Sequence, residues 1–170
     1  MTFRRTTALA AALLAGLAAS AQADEARKLG AFGSWEAYVY SDASGKVCYA
    51  AARAAKTNGG EARRPGVALA ITHRAKSPGE VSLVAPFGFK KESGAEIQIG
   101  GMKHAFFTKG DSAWAKDAAA DKAIIAQLVK GKDVVVRATP AKGSAVTDTV
   151  MLDGFSAALA AIDKACGVKR

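Results

Sequence analysis

Few side chains here are of the types that carry covalent or metal chemistry: Cys48 and Cys166, His73 and His104, and serines in turn contexts such as Gly143-Ser144. A zinc centre needs three or four nitrogen, sulfur or oxygen ligands at motif spacing, and the two histidines and two cysteines form no such motif. No Gly-x-Ser-x-Gly elbow presents a serine nucleophile. Neither Gly100-Gly101 nor Asn58-Gly59-Gly60 has the spacing, or the following Lys and Ser/Thr, of a phosphate-binding loop. His73, beside Arg74 at the end of an alternating segment, and His104, between Lys103 and Ala105, read as surface histidines. The residues therefore predict no catalytic group, metal or cofactor.

The two cysteines read differently once the N-terminus is considered. Arg4-Arg5 precede an apolar stretch from Ala8 to Ala19, and Ser20-Ala21-Gln22-Ala23 offers a small-x-small cleavage site before the charged Asp24, Glu25, Arg27 and Lys28. This is the pattern of a signal peptide, residues 1–23, cleaved after Ala23 and leaving one domain, 24–170, in the periplasm or outside the cell. In an oxidising compartment an even pair of cysteines has one connectivity, so a Cys48–Cys166 disulfide is expected. No apolar run outside the N-terminus is long enough to span a bilayer.

The 170 residues carry a formal charge of +9, and losing Arg4 and Arg5 leaves +7. Such an excess on a small exported domain favours an anionic envelope or host-surface partner. The absence of interleaved basic and aromatic residues argues against nucleic acid. Lys90, Lys91 and Lys109 are the lysines taken as a binding surface, together with Trp114, which follows the turn-rich Lys109-Gly110-Asp111-Ser112. Trp35, in an alternating segment, reads as core. With 40 alanines in the chain, the core rests on a modest set of larger apolar residues.

The elements that must position these groups are mostly strands. Val67, Leu69 and Ile71 alternate with small or polar neighbours, as do Val81 and Leu83, Ile97 and Ile99, and Val134 and Val136. With segments at 34–41, 46–51, 103–108 and 145–152, about eight strands joined by short turns predict antiparallel pairing. Residues 52–65 are polar and glycine-containing and read as a mobile connection. A period near 3.6 predicts helices over 117–130 and 153–166, with Asp117 and Asp153 as N-caps and Gly131 and Gly167 just past the ends. The predicted class is α+β and predominantly β: a twisted antiparallel sheet, sandwich or partly closed barrel, with two covering helices.

The order of several features resembles a known family. Trp35 in the first strand, Gly45-Lys46-Val47-Cys48-Tyr49, Ile97-Gln98-Ile99-Gly100-Gly101, Phe106-Phe107-Thr108-Lys109-Gly110-Asp111 with Trp114, and Leu152-Asp153-Gly154-Phe155-Ser156 together look like the invasion associated locus B family. The resemblance implies an exported protein without established enzymatic activity, in a family whose founding member is associated with entry into host red cells. It carries over only the Cys48–Cys166 bridge, since the further cysteines of better-known members have no counterpart here. The resulting expectation is a non-catalytic envelope or secreted binding protein. The alternative is an envelope enzyme, or an inhibitor of one, acting on glycan or lipid. A concave pocket with converging polar groups at His73 or His104 would favour that alternative.

Overall fold

The computed structural model describes residues 25–60 and 63–170, so the signal-peptide segment lies outside the described residues. In chain order the strands are β1 (Arg27–Phe32), β2 (Trp35–Asp42), β3 (Gly45–Arg53), β4 (Lys56–Asn58), β5 (Ala68–Arg74), β6 (Ser77–Val84), β7 (Ala95–Ile99), β8 (Met102–Lys109) and β9 (Ser112–Ala115), followed by β10 (Asp133–Ala138) and β11 (Val146–Met151). Helix α1 (Ala118–Leu128) lies between β9 and β10, and α2 (Phe155–Cys166) follows β11.

These strands form one antiparallel sheet of eleven, in the order β1-β2-β3-β5-β6-β9-β8-β7-β10-β11-β4, rather than the expected eight. The three additions have weak alternation: β1 is an edge strand, β4 is three exposed residues, and β9 follows a tight turn. Only Ala54 and Ala55 separate β3 from β4, yet β4 pairs with β11 and the Ala55 N–H donates to Thr149 O at 2.9 Å. The sheet therefore curls until β11 lies beside the end of β3.

That curl corrects the reading of residues 52–65 as a mobile connection for 52–60 and 63–65, residues 61 and 62 lying outside the described residues. β4 is held by ladder bonds, and Arg64 forms an ion pair with the fully buried Asp148. A polar composition marks solvent contact along a segment but does not report backbone pairing, which any non-proline residue supplies.

One sheet face is the core. Trp35, Cys48, Ala50, Leu69, Ile71, Leu83, Ile97, Val136 and Val150 are buried on it, and along β5 and β7 they alternate with more exposed neighbours. Helix α2 covers β1, β2 and β3, and α1 covers β6 and β9. Phe155 of α2 meets Trp35 edge to face at 4.8 Å, while the Trp35 indole N–H donates to Met151 O at 3.0 Å. An aromatic pair of this geometry adds about 1 kcal/mol beyond its area burial, and the bonded indole carries no desolvation penalty.

Asp117 caps α1 as expected, accepting from the Ala120 N–H at 2.8 Å. The start of α2 differs: Gly154, at φ +82°, is the N-cap, and a Cβ there would stand 1.8 Å from Phe32 O. Asp153 is displaced from capping because its carboxylate accepts from the Ser34 hydroxyl at 2.6 Å and from the Ser34 N–H at 3.1 Å. The β1–β2 turn is thus fastened to the start of α2. At the other end Cys166 is bonded to Cys48, with Cα atoms 6.0 Å apart, so the last turn of α2 is tied to β3.

Candidate functional site

Phe106 and Phe107 are neighbours on β8, so the two-residue period of a strand sends them to opposite faces. Phe106 is buried in the core and Phe107 is 55% exposed on the outer face. Phe107 pairs in register with Trp114 of β9, and the two rings stack with centroids 5.6 Å apart and planes 27° from parallel. Trp114 in turn pairs with Ser82 of β6, which offers little bulk to cover it. Val84, exposed at the end of β6, sits opposite Ser112. The outer face of β6, β9 and β8 therefore presents a stacked aromatic pair with an adjoining aliphatic group.

Charge surrounds this pair. By strand period Lys103 and Lys109 share the face of Phe107, and both are exposed. Lys103 is engaged by Glu96 at 3.3 Å, a carboxylate that Arg137 also approaches at 3.5 Å. The loop carrying Lys90 and Lys91 is stitched on one side to the turn that bears Lys109, the Phe89 N–H donating to Gly110 O at 2.8 Å and the Ala85 N–H to Asp111 O at 2.8 Å, and on the other to the residue after β10, the Lys90 N–H donating to Thr139 O at 2.8 Å. The fold thus brings together the segments of all four residues singled out from sequence. Trp114 is half-buried, and the more exposed ring is Phe107, which sequence reasoning missed. The Phe106-Phe107 doublet puts one ring on each face of β8, and only the placement of the core shows that Phe107 is the exposed one.

His73 is not a surface residue. It pairs with Cys48 across β5 and β3, is fully buried, and its Nε2 lies 2.7 Å from Asp163 Oδ1 on α2. Asp163 also accepts from Arg170 Nε, at 2.9 and 3.1 Å to its two oxygens. Burial holds the imidazole below its usual pKa; the Asp163 bond opposes this and Arg170 adds to it. The neutral ring donates from Nε2 to the carboxylate, and its buried Nδ1 has no partner. A notch of about 390 Å³ adjoins His73, bordered by Lys46, Arg74, Lys169 and Cys166. Its lining holds no hydroxyl or side-chain carboxylate, and its one sulfur is already in the disulfide.

His104 is half-buried beneath α1, with Nε2 2.9 Å from Gln127 Oε1. Both histidines were read as exposed because hydropathy does not reveal an acceptor on a helix distant in sequence. No group of three or more His, Cys, Asp or Glu among the described residues is placed to hold a metal ion. No helix among the described residues is long and apolar enough to cross a membrane.

Comparisons with known proteins agree with this architecture. The crystal structure of invasion associated protein B from Bartonella henselae superposes with a TM-score of 0.58 at 22% identity, covering 81% of this chain and 97% of that one. That likeness is one of fold. No curated protein matches the chain. The family model described as invasion associated locus B (IalB) protein matches residues 35–163, from the buried Trp35 to the Asp163 that holds His73, and the chain belongs to that family.

Proposed function

We propose that this protein is exported and non-catalytic, and that it binds a partner at the cell envelope or host surface through the outer face around Phe107, Trp114 and Lys109. Residues 1–23 act as a signal peptide cleaved after Ala23, leaving a single domain, 24–170, in the periplasm or outside the cell. The observation that carries the reading is the exposed Phe107 stacked on Trp114. Aromatic rings in a polar, cation-rich surround have the composition of a binding hot spot, where a few residues supply most of the affinity. The lysines favour a partner of anionic character, and their role is steering.

Crosslinking in cells of the source organism tests this. The native protein captures a specific partner, and the variant with Lys90, Lys91 and Lys109 replaced by Ser captures less of it. Equal capture by both proteins removes charge from the account. The alternative, an envelope enzyme or inhibitor acting on glycan or lipid, draws on the notch beside His73. It predicts hydrolysis that His73→Gln abolishes, whereas the binding reading predicts no turnover in either protein.

A further inference from the structure

Helix α1 has a core face and a second, exposed stripe of mostly small residues. Ile124, Ile125 and Leu128 face the core, while Ala118, Lys122, Ala126 and Val129 form a second, exposed stripe at helical spacing. This stripe is one wall of a groove of about 520 Å³. The floor is Leu159 of α2 with Pro78 and Gly79 of β6, and the opposite wall is the tail Val168–Arg170. The tail is turned back by Gly167, at φ +69°, and by the Val168 N–H donating to Asp163 O at 2.9 Å. Arg170 then locks onto Asp163.

Two features say what the groove fits. Its walls are largely methyl and methylene groups, with alanine at Ala118 and Ala126, where larger side chains would close it. The charged side chains of its lining are cationic alone: Lys122, Lys169 and Arg170, with no Asp or Glu. Arg170 is committed to Asp163, whereas Lys122 and Lys169 form no ion pair among the described residues. At Pro78, Val168 and Lys169 the groove runs into the notch beside His73, which adds Lys46 and Arg74. The volume lies within the range of about 300–1,000 Å³ usual for small-molecule sites.

We propose that this groove binds a single acyl chain bearing an anionic head. The chain lies along Ala118, Ala126, Val129 and Leu159, and the head is held by the ammonium groups of Lys122 and Lys169. The site is independent of the Phe107 face, from which the sheet separates it.

Calorimetric titration of the full protein with dodecanoate, below its micelle concentration, tests the site against octanoate and dodecyltrimethylammonium. One dodecanoate binds per chain and octanoate binds far more weakly, with affinity changing by about three- to fourfold per methylene. The cationic surfactant binds about tenfold or more weakly. Ala126→Trp, which fills the groove from an exposed helix position, lowers dodecanoate affinity about tenfold or more. Lys122→Glu with Lys169→Glu lowers it severalfold. Thermal melts confirm that each variant is folded.

Absence of saturable binding overturns the proposal, as does equal affinity for the cationic surfactant or unchanged affinity in Ala126→Trp. Sedimentation showing a dimer that Ala126→Trp dissociates would assign the groove to a second copy and equally overturn it. Phe107→Ser leaves dodecanoate binding intact, and Ala126→Trp leaves partner capture intact, so the two accounts fail separately.

Discussion

The guanidinium of Arg64 grips the carboxylate of Asp148 with both terminal nitrogens, one donating to Oδ2 at 2.9 Å and the other to Oδ1, across 84 residues of sequence. Asp148 is fully buried on β11, and its Oδ2 also accepts from the Val67 N–H at 2.8 Å. Arg64 donates further to Gly59 O at 3.2 Å and lies over the Phe87 ring at 5.8 Å. One buried carboxylate thereby gathers the β4–β5 connection, the start of β5 and β11.

Removing one partner of this pair strands a buried charge, which costs about 3–5 kcal/mol. Arg64→Met is expected to lower the unfolding free energy from urea titration by that amount, whereas Arg64→Met with Asp148→Leu loses less than the sum of the single changes. Additive losses in the cycle would show that the two residues are not coupled.

The Cys48–Cys166 bond spans 118 residues, and the chain-entropy estimate for closing a loop of that size is about 4–5 kcal/mol. Cys48→Ser with Cys166→Ser is therefore expected to fold with sharply reduced stability, and a reducing agent is expected to lower the melting temperature of the native protein alone. Mass spectrometry of the unreduced protein checks the bond, since free thiols at both positions contradict it.

His73 sets a pH dependence whose sign follows from its environment. Burial lowers its folded pKa below 6.5, so as pH falls the unfolded chain takes up a proton that the folded chain resists. Stability from this group is complete above 6.5, is lost as pH falls from there towards the lowered folded value, and changes no further below it. The facing charges are Asp163 and Arg170 on and beyond α2, with Lys46, Arg74 and Lys169 around the adjoining notch and Cys48 of β3 already oxidised. Urea unfolding between about pH 7.5 and 5 is expected to show this decline, flattened in His73→Gln. An unchanged slope in the variant would assign the decline to other groups.

What could be read from residues alone follows from where each pattern originates. Strands β5, β7, β10 and β11 were legible because they bury one face, and burial writes a two-residue period into the chain. The Lys56-Thr57-Asn58 strand was not, because pairing with β11 engages its backbone and leaves its side chains exposed. Trp35 was recognisable as core by its alternating segment. Asp153 satisfies every local rule for an N-cap, yet Ser34, 119 residues away, takes its carboxylate. His73 was misplaced for the same reason, its partner lying on α2. At the proposed binding face, Trp114 and the lysines were legible as types, whereas the exposure of Phe107 followed only from knowing which face of the sheet is the core.

Under the proposed function, the outer face around Phe107 and Trp114 contacts the partner. A photoreactive phenylalanine analogue at position 107 keeps a ring stacked on Trp114 and reports contacts of this exposed position. The same analogue at Ser156, exposed on α2, serves as the control. Illumination in cells is expected to yield one defined adduct from position 107 and none from position 156. Adducts from position 156 alone, or equal adducts from both, would contradict the account.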